Sequence, residues 1–163
     1  MKHLAPSPRL VLSCPCCNIG QINPDEYRSG IHLNAPIGLF DFNSDNAYTQ
    51  SVINLIENGI IKQISIIGNY DCAMLKNSLE SNEHSFEFKY QSKIKALQKR
   101  NDTPLKLIKR ICEKAYKGIH EHQQLGKLIQ QKSIKINIEL ISKKNKLTLI
   151  NYYPNVGIYN TAP

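Results

Sequence analysis

Two apolar runs in this sequence are each followed by a cysteine. Residues 60–67 are rich in β-branched side chains, which favour a strand buried on both faces, and Cys72 comes shortly after them. Residues 9–13 form a shorter apolar run that ends at Cys14. In parallel α/β sheets, ligands bind beside the carboxyl ends of the strands. If the two strands are neighbours, both thiols are therefore expected in one crevice.

The rest of the chain alternates between helix and strand patterns. This alternation predicts an α/β fold, a mostly parallel sheet flanked by helices, in a single domain over residues 1–163. Asp45 or Asn46 is expected to cap one helix, and Asp102 or Thr103 another that starts at Pro104. A helix start is predicted at Pro24 within residues 18–30, and further helices are predicted at 45–58, 73–79, 86–100 and 104–119. Strands are predicted at 9–13, 31–34, 60–67, 133–141 and 146–150.

Composition narrows the class of protein. Hydrophobic residues make up 41% of the 163 residues, which suffices for one core. No apolar run approaches the roughly 18 residues of a membrane span, and the N-terminus lacks a signal-peptide core, so a cytoplasmic protein without membrane contact is expected. The net charge of +8 comes largely from lysines scattered over 89–146 without interleaved aromatics. This pattern is typical of a solvated surface and argues against nucleic-acid binding.

The cysteines point to metal or thiol chemistry. There are five of them, and Cys14, Cys16 and Cys17 fall within four residues, unlike the dispersed cysteines of a secreted disulfide framework. Cys112 lies on an apolar helical stripe and is predicted to be a core thiol. His120 and His122, two apart in the sequence, are predicted to be surface histidines.

Three segments of the chain carry a resemblance to a known family. They are Cys14-Pro15-Cys16-Cys17-Asn18, Asn34-Ala35-Pro36 and Gly68-Asn69-Tyr70-Asp71-Cys72. In order and context they resemble motifs of the β-class carbonic anhydrases, and the resemblance covers nearly the whole chain, although no motif is intact. That family carries Cys-x-Asp-x-Arg after its first strand, then Asn-Ala-Gly, then a His-x-x-Cys motif within Gly-His-Ser-Asp-Cys-Gly.

The resemblance implies a zinc site with altered ligands. Both ligand cysteines carry over, as Cys14 and Cys72, but Asn69 stands where the family has its ligand histidine. The family's aspartate and arginine, which orient the zinc-bound water, are replaced by Cys16 and Asn18. Cys16 is therefore a candidate third ligand, with water, Asn69 or a histidine as the fourth.

Cys17 competes with Cys16 for the third position. Its spacing from Cys14 is the Cys-x-x-Cys spacing that zinc sites often use. Because Cys16 and Cys17 are adjacent, they are not expected both to point inward from a regular segment. Asn18, Asn34, Gly68, Asn69 and Asp71 are predicted to line the site.

Several functions stay open on this basis. A third thiolate donates charge to zinc and raises the pKa of bound water, which predicts weak or absent CO2 hydration and thus a pseudoenzyme. A functional carbonic anhydrase with substitute ligands, acting on CO2 and bicarbonate, is one alternative. A thiol redox protein, suggested by the Cys-Pro-x-Cys form at Cys14, is another, and a non-catalytic binding module is a third. The resemblance also implies a homodimer.

Overall fold

The computed structural model describes residues 8–19, 27–80, 88–142 and 148–150. Within them, two 3-10 turns (Pro15–Cys17 and Pro36–Gly38) follow the first two strands. The strands are β1 (Arg9–Ser13), β2 (Ile31–Asn34), β3 (Gln63–Asn69), β4 (Lys135–Ile141) and β5 (Thr148–Ile150). The α-helices are α1 (Ala47–Glu57), α2 (Ala73–Glu80), α3 (Phe88–Leu97), α4 (Pro104–Glu121) and α5 (Gln123–Gln131).

The five strands form one sheet in the order β2-β1-β3-β4-β5. The first four run parallel, and β5 pairs antiparallel with β4. This confirms the predicted α/β class, and the pairing of β4 with β5 confirms the predicted hairpin. The hairpin turn, the tail from residue 151 and the helix start predicted at Pro24 lie outside the described residues.

The sheet core forms around β3, whose Ile64, Ile66 and Ile67 are buried as the β-branched run predicts. Helix α4 packs against β3 and β4. Cys112 lies on its buried face, which confirms the prediction of a core thiol, and burial raises the pKa of this thiol to about 12. The helix approaches the sheet closely at Gly68, where a Cβ atom would lie 2.7 Å from Ile108 Cγ1.

The start of β3 differs from the prediction. The expected strand covered residues 60–67, whereas β3 begins at Gln63 and ends at Asn69. The backbone N–H groups of Ile60 and Ile61 both donate to Leu55 O at the end of α1, so these residues belong to the helix–strand connection. The other end of β3 also differs from the prediction. Asn69, which was expected in a loop, is the last residue of the strand and pairs with Ile141 of β4.

Side-chain caps fix the starts of two helices. Asn46 caps α1, because its side chain accepts a hydrogen bond from Thr49 N–H at 3.0 Å. Thr103 caps α4 in the same way. Asp102, the other candidate for α4, instead accepts from Lys99 N–H and pairs with the Arg110 guanidinium. Within the described residues, no helix is long and apolar enough to cross a bilayer.

The prediction of two surface histidines is wrong. The helical conformation is interrupted at His122, between α4 and α5. The Nδ1 atom of His122 caps α5, and its Nε2 atom lies 3.0 Å from Asp45 Oδ1. His120 is half-buried with its ring against Tyr116, and burial lowers its pKa. The prediction assumed that both histidines lie on one continuous helix, but the helix is interrupted at His122.

Candidate metal centre

Four cysteine sulfurs meet at the carboxyl ends of β1 and β3. Cys14 follows β1, Cys16 and Cys17 lie in the 3-10 turn after it, and Cys72 directly precedes α2. All four Sγ atoms lie within 4.8 Å of one another. Because β1 and β3 are parallel neighbours, this arrangement confirms the expectation that the thiols of Cys14 and Cys72 share one crevice.

The 3-10 turn explains how adjacent cysteines reach the same point. Pro15 starts the turn, Cys17 N–H donates to Cys14 O at 3.1 Å, and Asn18 ends it in the left-handed conformation with φ 40°. Such a turn folds three residues back over a short distance. The expectation that Cys16 and Cys17 cannot both point inward is therefore wrong, since it assumed a regular extended or α-helical segment.

Cys16 is the centre of the sulfur contacts. Its Sγ lies 2.8 Å from Cys14 Sγ, 2.9 Å from Cys72 Sγ and 4.0 Å from Cys17 Sγ. The residue is also exposed, whereas Cys14, Cys17 and Cys72 are at most 4% exposed. The cluster is thus nearly enclosed by the protein and opens to solvent at Cys16.

The thiols share protons unequally. Hydrogen bonds from Cys14 and Cys17 hold the pKa of Cys72 well below its usual range, against the opposing effect of burial, and Leu75 N–H at the start of α2 adds to this. Partial burial and hydrogen bonds with Cys14 and Cys72 raise the pKa of Cys16. Hydrogen bonds with the same two cysteines, followed by burial, raise the pKa of Cys17. A bound cation would displace the protons that remain on these cysteines.

A backbone donor that no sequence pattern indicated supports Cys14. Ile37 N–H donates to Cys14 Sγ at 3.2 Å. Ile37 is 1% exposed and has φ 57°, a left-handed conformation that is a genuine outlier for a β-branched residue. Strain of this kind costs about 1–3 kcal/mol and persists only where the surroundings impose it. The segment after Asn34 therefore contributes an N–H donor to the site rather than a side chain.

Asn69 shapes the loop that carries Cys72. Its side-chain oxygen accepts Asp71 N–H at 2.8 Å, and its carbonyl accepts Cys72 N–H at 3.2 Å. Asp71 in turn forms an ion pair with Lys76 at 3.1 Å. These contacts make Asn69 and Asp71 supports of the turn. Among the described residues, no histidine or carboxylate joins the four sulfurs.

The other residues predicted to line the site make contacts that hold neighbouring elements together. Asn34 accepts Ser13 Oγ–H through its side chain at 3.0 Å and Tyr48 O–H through its carbonyl at 2.8 Å. These bonds link the ends of β1 and β2 to α1. Gly68 allows α4 to pack closely on the sheet, and Asn18 ends the 3-10 turn.

The cluster fits a zinc ion. Zinc binds thiolate sulfur at about 2.3 Å in tetrahedral sites, which places ligand sulfurs about 3.8 Å apart. The separations here run from 2.8 Å to at most 4.8 Å and bracket that value. Backbone N–H groups that donate to Cys14 and Cys72 sulfurs are the kind of support that orients thiolate ligands.

Solved β-carbonic anhydrases have a similar fold. CafA of Aspergillus fumigatus superimposes with a TM-score of 0.71 at 11% identity, over 88% of this chain and 75% of that one. The β-carbonic anhydrase CcaA gives 0.68 at 10% identity, over 92% and 80%. The Coccomyxa enzyme gives 0.63 at 11% identity, over 88% and 72%. The sequence itself matches no protein-family model and no curated protein. The chain therefore has a β-carbonic-anhydrase-like fold.

Proposed function

We propose that this chain is a zinc–thiolate protein built on a β-carbonic-anhydrase-like fold, with weak or no CO2 hydration activity. The observation that carries the proposal is the convergence of four cysteine sulfurs within 4.8 Å. Soft thiolate donors in this number suit zinc better than the hard cations that oxygen ligands bind. The residues that would hold the ion are Cys14, Cys16, Cys17 and Cys72.

Four thiolates favour a closed site. A catalytic zinc keeps one coordination position free for water and lowers the pKa of that water, whereas structural zinc sites are filled by four protein ligands. Cys16 and Cys17 both approach Cys14 and Cys72, so they can fill the two remaining positions. This ligand set leaves no place for water, Asn69 or a histidine as the fourth ligand.

A site with one cysteine unbound would also be a poor hydratase. Three thiolates leave the ion less able to acidify a water ligand than two thiolates and an imidazole do. Cys16 and Asn18 stand where the family's aspartate and arginine manage the proton of that water. Among the residues that the structure describes, no histidine or carboxylate joins the sulfurs to take over this task, so the protein would act as a pseudoenzyme rather than a lyase.

Metal content tests the proposal. Protein purified without added metal or chelator should carry about one zinc per chain, Cys72→Ser should carry almost none, and Cys112→Ser should match wild type because Cys112 is a core thiol outside the cluster. Cobalt substitution should add the intense sulfur-to-metal charge-transfer bands of a tetrathiolate site. A wild-type chain that cannot be loaded with zinc, or hydratase turnover near that of ordinary β-carbonic anhydrases, would contradict the proposal.

Thiol exchange is the second candidate, because exposed Cys16 contacts two other thiols. The two functions respond differently to a chelator. Zinc-bound thiolates react slowly with a thiol reagent and speed up once a chelator removes the zinc, whereas a metal-free redox pair reacts at once with or without chelator. Thiol titration with and without chelator separates them.

We also propose that the chain forms a homodimer or a larger symmetric assembly. The β-carbonic anhydrases of Sordaria macrospora, similar in fold with a TM-score of 0.66 at 11% identity, are tetrameric. Light scattering after gel filtration measures the mass of the assembly, and a monomer at all concentrations would refute this part.

A further inference from the structure

Cys16 differs from the other members of the sulfur cluster in its access to solvent. The other three cysteines are buried, and Cys16 alone among them is exposed. Thiol oxidation needs both a thiolate and contact between the sulfur and the oxidant. A bound zinc ion would hold all four cysteines as thiolates, so accessibility would then decide which of them reacts first. A small oxidant arriving from solvent therefore meets Cys16 before Cys14, Cys17 or Cys72.

Cys16 also has two resolving thiols within contact distance. Its Sγ lies 2.8 Å from Cys14 Sγ and 2.9 Å from Cys72 Sγ, while Cys17 Sγ is 4.0 Å away. Reversible oxidation of a cysteine needs a second thiol that can attack the oxidised sulfur. Cys14 and Cys72 are already close enough to attack Cys16, so β1 and β3 need not move.

We propose that Cys16 is an oxidative modification site, where a peroxide oxidises the cluster and releases the metal. The inference rests on the zinc site proposed above, since the release step needs a bound ion. It adds a reaction of the cluster with two-electron oxidants, which zinc binding by these ligands does not by itself require.

The chemistry balances with hydrogen peroxide as the oxidant. The Cys16 sulfur attacks one peroxide oxygen, the S–O bond forms, the O–O bond breaks, and the departing hydroxide takes a proton to become water. The Cys14 or Cys72 thiolate then attacks the Cys16 sulfur, the S–S bond forms, and the S–O bond breaks with loss of a second hydroxide, which is also protonated. Two thiolates lose two electrons in total, and peroxide is reduced to two waters.

Loss of the metal follows from the loss of ligands. Thiolate rather than disulfide sulfur binds the ion, so the disulfide removes two of the four donors. Cys17 and one remaining cysteine would then be the only thiolates at the site, fewer than structural zinc sites use. A thiol reductant regenerates the four thiolates and allows zinc to rebind.

The test uses the full-length zinc-loaded protein with hydrogen peroxide as the probe. Zinc release is followed with a chromogenic chelator, and disulfides are mapped by mass spectrometry after alkylation of free thiols. In wild type we expect one disulfide that includes Cys16. Release should slow by about tenfold or more in Cys16→Ser, because the accessible thiol is missing. Cys112→Ser, a buried thiol outside the cluster, is the matched control and should release zinc at the wild-type rate.

Two results would overturn the inference. One is a wild-type disulfide that lacks Cys16, such as a bond between Cys14 and Cys17. The other is equal release from wild type and a zinc-loaded Cys16→Ser variant. If Cys16→Ser binds no zinc, the wild-type disulfide map decides alone. If wild type binds no zinc, the proposed function fails and zinc release with it, but the map on the metal-free chain still shows whether Cys16 is the oxidised residue.

Discussion

Replacing Gly68 with alanine should force apart β3 and α4. The added Cβ atom would lie 2.7 Å from Ile108 Cγ1, 2.8 Å from Cys112 Sγ and 3.0 Å from Leu140 Cδ2. Carbon atoms in favourable contact are about 3.5–4.0 Å apart, so these neighbours must each retreat by about 0.5–1 Å. All three are at most 2% exposed and have packed core around them. Overpacking of this kind costs about 1–3 kcal/mol, and we expect the free energy of unfolding to fall by that amount.

Urea unfolding monitored by circular dichroism measures the loss. A double-mutant cycle with Cys112→Ala makes the test specific, because that change removes the sulfur 2.8 Å from the new Cβ. Cys112→Ala should cost less in the Gly68→Ala background than in wild type, with a coupling of at least about 0.5 kcal/mol. A Gly68→Ala variant within about 0.5 kcal/mol of wild type, or strictly additive costs, would refute the close-approach argument.

Three further changes test the packing and electrostatics around the sheet. Tyr27→Phe removes the hydroxyl that donates to buried Glu139, and leaving that carboxylate short of a partner should cost about 1–3 kcal/mol in urea unfolding. Asn46→Ala removes the cap of α1 and should cost about 1 kcal/mol by the same assay, with no change in zinc content. At Asp102, burial opposes ionisation, but hydrogen bonds from Arg110 and a backbone N–H outweigh it and lower the carboxyl pKa. That stabilisation is present above the unfolded pKa of about 3.9 and is lost as pH falls through the lower folded value, so Asp102→Asn should flatten the acid limb of a stability–pH curve.

The four-sulfur cluster depends on the pairing of two strands. The sheet brings the ends of β1 and β3 together whatever residues follow them, because the strands are neighbours in register. In the proposed zinc site, Cys16 stands where the resembled family has its aspartate and Cys17 adds a further thiolate, without any change in that register. The proposed closed site is therefore compatible with the same sheet.

Much of the fold could be predicted from local patterns. The β-branched run that became β3, the capping side chain at Asn46 and the hairpin of β4 and β5 are each specified by short stretches of sequence. Local patterns failed where a contact from another element decided the outcome. Leu55 O held Ile60 and Ile61 out of β3, and the break before α5 turned His122 into a cap paired with Asp45.

The sequence by itself determined that Cys14 and Cys72 each follow a buried strand, and the structure then showed these strands to be parallel neighbours that end at the same edge of the sheet. The sequence also determined the donor type, since sulfur is what the chain supplies there. Only the tertiary structure decided that Cys16 and Cys17 both join them and that Ile37 N–H supports Cys14. The physical reason is that a 3-10 turn and a left-handed residue depend on the packing around them. Spacing along the chain does not record that packing.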